Sequence, residues 1–192
     1  MKMHKVPHEA GKSSFDLIDK EKFFAALPLE GVEKVIDLGC GSGRYLFPLS
    51  ENAGDGVSIT GIDLWPDGVA EVNRRAGELG LQGIKAYAAP ITDIPFVPDS
   101  ATDLALMATV VHDLVKRGDG KSGLAATARV VKAGGTLAVV EFIKKEGSPG
   151  PPISIRLSPE ELDAFVEPAG FERCGLYPLG EDLYMALYSR KN

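Results

Sequence analysis

The first stretch of the chain equipped for chemistry is Asp37-Leu38-Gly39-Cys40-Gly41-Ser42-Gly43, which follows the apolar pair Val35-Ile36. A strand that ends in a carboxylate and turns through alternate glycines lets a ligand approach the backbone with no Cβ in the way. Free N–H groups at the start of the following helix can then bind an anionic group. The glycine spacing is Gly-x-Gly-x-Gly, whereas a dinucleotide-phosphate turn reads Gly-x-Gly-x-x-Gly. Asp37 would repel a pyrophosphate and attract an ammonium group, so a ligand with an amino-acid end fits better than a nucleotide diphosphate. The plainer alternative is a tight strand-to-helix turn with no ligand. A second carboxylate, Asp63, follows Gly61-Ile62 at the end of the next apolar run. An acid just past a second parallel strand can accept both hydroxyls of a ribose; a surface-loop aspartate is the alternative.

These residues need a scaffold, and the pattern supplies one. Short apolar runs at Val35–Leu38, Val57–Ile62, Ile84–Ala88, Leu104–Met107 and Thr136–Phe142 read as strands. Amphipathic segments near Arg44–Glu51, Pro66–Leu79 and Val110–Val131 read as helices between them, after a first helix over Asp19–Leu27. That alternation predicts an α/β fold with a parallel sheet covered on both faces. The end of the chain departs from it. Ser158 caps a helix running to about Ala169, and two strand-like runs follow, Phe171–Tyr177 and Leu183–Ser189. The five residues between them cannot form a helical crossover, so the two runs must pair antiparallel.

Composition narrows the partners. With 192 residues, 44% hydrophobic and 25% charged, the sequence reads as one globular domain over 1–192, its first fourteen residues loose. A net charge of −6 argues against nucleic acid or an anionic membrane surface. Cys40 and Cys174 have no metal-ligand spacing and make no disulfide framework, which predicts a reduced, cytoplasmic setting without a metal. No apolar leader and no run near the ~20 residues of a membrane span is visible.

The Asp37–Gly43 segment resembles motif I of class I S-adenosylmethionine methyltransferases. Asp63 matches their ribose carboxylate, Ala89–Phe96 with Asp99 and Asp103 resembles the segment after their third strand, and Val130–Leu137 resembles the turn before their fifth. The nearest group is the ubiquinone/menaquinone-biosynthesis-like branch. The resemblance implies a Rossmann-like seven-stranded sheet, mostly parallel, of order 3-2-1-4-5-7-6 with strand seven antiparallel. It implies S-adenosylmethionine as cofactor and S-adenosylhomocysteine as product. Asp37, Gly39, Cys40 and Gly41 would hold the methionine part, Asp63 and Leu64 the ribose, Pro90 and Ile91 the adenine, and Met107 would lie beneath. The family often has aspartate where this chain has Pro90; Thr92 or Asp93 would then substitute, or adenine is held by apolar contact.

Methyl transfer needs alignment and a dry site, and a base only where the acceptor must lose a proton. His112, with an ordinary pKa near 6.5, is the candidate base after strand four. Its alternatives are a histidine bonded to a helix terminus or one packed under the cofactor. Asp113 reads as a helix-start residue. Glu141 either orients the acceptor or faces water at a strand end. The loop Ser148–Pro152 could cover the acceptor, and Arg156 would pair with an anionic substrate or make a surface salt bridge. No Asn-Pro-Pro-Tyr-like motif and no cysteine follows strand four, so the expected acceptor is a small, partly apolar metabolite. A nicotinamide-dependent oxidoreductase and a non-catalytic binding module of the same fold are the rival readings.

Overall fold

In a computed structural model the described residues are Gly11, 13–147 and 149–192. Much of the segment read as loose lies outside them, but Ser14 is buried. Seven strands form one sheet: β1 Lys34–Leu38, β2 Ser58–Asp63, β3 Ile84–Ala88, β4 Thr102–Ala108, β5 Val131–Phe142, β6 Phe171–Pro178 and β7 Leu183–Arg190. Their spatial order is β3-β2-β1-β4-β5-β7-β6. The first five pair in parallel, whereas β7 runs antiparallel to both β5 and β6. That is the expected topology, and it differs from the 3-2-1-4-5-6 order of a dinucleotide domain.

Alternation along the strands decides which face each residue serves. Val35, Leu104 and Leu106 point into a core shared with α1 Lys20–Ala26, α2 Leu46–Asn52 and α3 Pro66–Glu78, through Phe23, Phe47 and Val72. Ile36, Leu38 and Met107 point into the opposite core, closed by α4 Val111–Arg117, α5 Gly120–Val130 and α6 Pro159–Val166 through Leu114, Leu124 and Leu162. Because strands β1 to β5 are parallel, all their carboxyl ends reach one edge, where Asp37, Asp63, Ala108 and Glu141 are brought together.

Three elements differ from their sequence expectation. The long helix over Val110–Val131 is two helices, because Gly118 caps α4 in the left-handed region (φ +81°) and Asp119 restarts the chain. Strand β5 begins at Val131, directly after α5, and carries a register shift against β4 before Thr136. The last helix stops at Val166 and continues as a 3-10 turn over Glu167–Ala169, since Pro168 cannot donate to an α-helical ladder. At its other end Ser158 and Glu161 form a reciprocal capping box. Among the described residues no helix is long and apolar enough to cross a membrane, and no cluster of His, Cys, Asp and Glu could hold a metal ion.

Candidate active site

The glycine turn after β1 is tied down from within. The N–H groups of Gly39 and Cys40 both donate to the carbonyl of Ile62, at 2.7 and 3.1 Å. That of Gly41 donates to Asp63 Oδ2 at 2.8 Å, and Trp65 N–H takes Asp63 Oδ1 at 2.8 Å. The N–H groups of these three turn residues are therefore engaged by the protein. Asp63 fixes the turn with one lone pair of each oxygen, and a carboxylate has about four. Two of the glycines serve different ends. Gly39 has φ +90°, and a Cβ there would meet Val110 Cγ2 at 2.3 Å, so this position is glycine for packing against the end of β4 rather than for ligand approach. Gly41 has φ +52° and open space where its Cβ would stand. Cys40 is buried, its sulfur facing the space beside Gly61 on β2. Burial pushes its thiol far above the ordinary range, with the charges of Asp37 and Asp63 adding to the effect.

Asp37 is the anomaly of this edge. Its side chain is buried, and Oδ2 has no hydrogen-bond partner among the described residues. Burial, and then the neighbouring charge of Asp63, push its carboxyl up to about 8. A buried polar atom without a partner costs about 1–3 kcal/mol, so such a group persists where a ligand or ion completes it.

The ends of β4 and β5 form a second polar group. His112 Nδ1 lies 2.7 Å from Glu141 Oε2, and the His112 main-chain N–H donates to Glu141 Oε1 at 3.1 Å. Both side chains are buried, so Glu141 neither faces water nor lies open to an acceptor; it grips the start of α4 and one edge of the imidazole. Asp113 Oδ1 stands 4.0 Å from the other ring nitrogen, and Asp113 occupies the first turn of α4 as expected. Just before, Thr109 holds the left-handed region at φ +55°, strained for a β-branched residue. Arg156 is buried rather than at the surface, and its guanidinium donates to the carbonyls of Ile143, Lys145, Pro149 and Pro151. It thus fastens the loop after β5. Ser148 of that loop lies outside the described residues.

Residues 35–135, just over half the chain, match the methyltransferase domain family. The chain belongs to that family. By family and fold it belongs with the class I S-adenosylmethionine-dependent methyltransferases, S-adenosylmethionine being the cofactor of that class. It is 30% identical over 121 residues to the aklanonic acid methyltransferase DauC of Streptomyces sp. (strain C5), covering 63% of this chain and 53% of that one. To the ubiquinone/menaquinone biosynthesis C-methyltransferase UbiE of Geobacter sp. (strain M21) it is 29% identical over 120 residues, covering 59% and 47%. The chain thus spans about half the length of these curated relatives. A solved SAM-dependent methyltransferase from Aquifex aeolicus superposes with a TM-score of 0.81 at 26% identity, over 92% of both chains.

The methyltransferase edge fits an aminoacyl nucleoside on chemical grounds. Asp37 offers a buried carboxyl with an unpartnered oxygen for an ammonium, Asp63 retains lone pairs for hydroxyls, and Gly41 leaves the turn uncovered at one point. Leu64 and Pro90 are half-buried at the ends of β2 and β3, while Ile91 and Met107 are buried in the core beneath α4 and α5. Thr92 is half-buried and Asp93 exposed. Sequence reasoning missed three hydroxyls beside the turn. Ser14 Oγ lies 2.9 Å from Tyr45 Oη and 3.3 Å from Thr109 Oγ1, joining residues 31 and 95 positions apart. No local pattern could have shown that. A larger groove of about 360 Å³ lies beside Leu81 and Ile84, at the opposite end of β3 and remote from these groups.

Proposed function

We propose that the protein moves a methyl group from S-adenosylmethionine to a small, partly apolar acceptor whose nucleophilic atom first loses a proton. The observation that carries this reading is the buried Asp37 oxygen without a partner, set beside a glycine turn that Asp63 pins in place. When bound, the cofactor supplies a methyl group activated by its sulfonium for in-line displacement. Asp37 would pair with the ammonium of its aminoacyl end, and Gly39, Cys40 and Gly41 would border the stem. The ribose hydroxyls would donate to the remaining lone pairs of Asp63, with Leu64 alongside. Pro90 and Ile91 would border the adenine by apolar contact, and Met107 forms the floor.

On the acceptor side, Glu141 already accepts the His112 main-chain N–H, so its carboxylate acts as acceptor and His112 Nδ1 as donor. With the ring so oriented, proton removal from the acceptor falls to Nε2. Glu141 positions the base and does not touch the reacting atoms. The names of relatives support a small acceptor, since they include both C- and O-methyltransferases.

Calorimetry with S-adenosylhomocysteine tests the cofactor half. The parent should bind, and Asp63→Ala should lose about 1–3 kcal/mol, because hydrogen bonds to a charged acceptor disappear. A parent without affinity would end the proposal. His112→Asn should cut turnover while leaving cofactor affinity within twofold; undiminished turnover would remove the base from the scheme.

A further inference from the structure

Beside the glycine turn, Ser13 shares the lining of a small cavity of about 40 Å³ with Gly39, Gly41, Arg44, Tyr45 and Thr109. The segment Ser13–Asp16 is held at three points. Ser14, itself buried, sets its hydroxyl between Tyr45 and Thr109. Phe15 packs edge-on against the Tyr45 ring, with centroids 4.9 Å apart. Asp16 pairs with Arg44 at the surface. Upstream, Gly11 lies against the indole of Trp65, two residues past Asp63 and the only tryptophan in the chain.

These contacts differ in kind. Phe15 packs into the core shared with α1 and α2 and would anchor the segment whether or not a ligand is present. The Asp16–Arg44 pair is exposed on both sides and contributes little. The Ser14 hydroxyl is the tie that meets both the start of α2, at Tyr45, and the strained tip of β4, at Thr109. A β-branched residue persists in the left-handed region only where its surroundings hold it. The hydroxyl contact to Ser14 is one such restraint, with the 2.7 Å bond from Thr109 N–H to the Val140 carbonyl.

We infer that Ser14 and Tyr45 are positioning residues that latch a strap over the cofactor cleft, and that opening of this latch limits cofactor exchange. The strap covers the turn on which the proposed function depends, so the inference rests on that reading for its ligand but not for the motion itself. A latch present with and without cofactor has a kinetic signature. Weakening it speeds entry and exit together and leaves the equilibrium nearly unchanged.

Stopped-flow mixing with S-adenosylhomocysteine, followed by Trp65 fluorescence, reads both rates. Ser14→Ala and Tyr45→Phe should each raise association and dissociation rates by about tenfold, the factor expected for loss of one buried hydrogen bond. The double variant should add little to Ser14→Ala, which already removes the Tyr45 contact along with that to Thr109. Asp16→Asn, at an exposed position that cannot endanger the fold, should accelerate exchange by less than threefold. Rates unchanged within twofold in Ser14→Ala would overturn the latch. So would faster dissociation with unchanged association, which would make Ser14 a direct ligand contact. Hydrogen exchange at Ser13–Asp16 without ligand separates the two readings. If the parent fails to bind the nucleoside, the proposed function falls, yet the latch still requires faster exchange there in Ser14→Ala, and unaltered exchange refutes it.

Discussion

At the scale of single residues, Asp37 is the most consequential group in the protein. Its carboxyl ordinarily titrates near 3.8 and is pushed up to about 8 in the fold, first by burial and then by Asp63. Between those values the folded protein holds a proton that the unfolded chain has released. Stability from this group is therefore complete below about pH 4 and is lost as pH rises through 8. Asp37→Asn removes the titration. Thermal melts without ligand should show the variant gaining on the parent as pH rises from about 4 to 8, and ahead by several kcal/mol at pH 9. Parallel curves would refute the burial argument. The same proton links to the cofactor. A bound ammonium favours the carboxylate, so the parent's affinity for S-adenosylhomocysteine should climb from pH 6 to 8, whereas that of Asp37→Asn should be weak and flat.

Glu141 makes a different kind of contribution, because it holds both the ring and the main chain of His112. Glu141→Gln keeps the shape and replaces the carboxylate with a neutral amide, which orients imidazole poorly. Turnover should fall by about 10²–10³-fold, and the acid-side pH profile should change shape, while cofactor affinity holds. A purely structural clamp would instead lower the melting temperature and leave the pH profile of the residual activity untouched.

At the scale of elements, the boundaries follow from a few residues. Gly118 separates α4 from α5 in the left-handed region, with nothing near the place of an added Cβ. Gly118→Ala therefore costs only backbone strain, about 1 kcal/mol, and should lower the melting temperature by about 3 °C for a chain of this size. An unchanged melt would mean that α4 and α5 tolerate a continuous path. The triplet Gly118-Asp119-Gly120 announces that break in the sequence, but the apolar periodicity on either side runs through it and masks it. The terminal hairpin was legible for a better reason: five residues between two apolar runs leave one geometry. Asp37 and Asp63 were legible because each closes a strand ahead of a recognisable turn. Ser14, Tyr45 and Thr109 were not, since their meeting depends on β1 and β4 lying side by side. The burial of Arg156 was not legible because the carbonyls it meets belong to an irregular loop, and backbone acceptors leave no signature in residue types.

At the scale of the whole molecule, the sheet joins a site-bearing parallel half to a closing antiparallel pair. β7 runs alongside β5 from Thr136↔Ser189 to Phe142↔Leu183, and Glu141 of β5 pairs with Tyr184. Leu183, Met185 and Tyr188 are buried on both faces of the sheet, so β7 completes both cores. Tyr184 and Tyr188 also bond from the strand to the far helix layer, at the Leu157 carbonyl and at Asp163. A chain ending at Gly170 would leave β5 as an unpaired apolar edge, which invites aggregation. It should lose its cooperative thermal transition, bind a hydrophobic dye and lose near-ultraviolet dichroism, while keeping much of its helical signal. If that truncated chain instead melts sharply and still binds S-adenosylhomocysteine, the hairpin is an appendage to the parallel half. Loss of both together would show that the position of Glu141 is set from outside the matched family segment, by the strand that pairs with it.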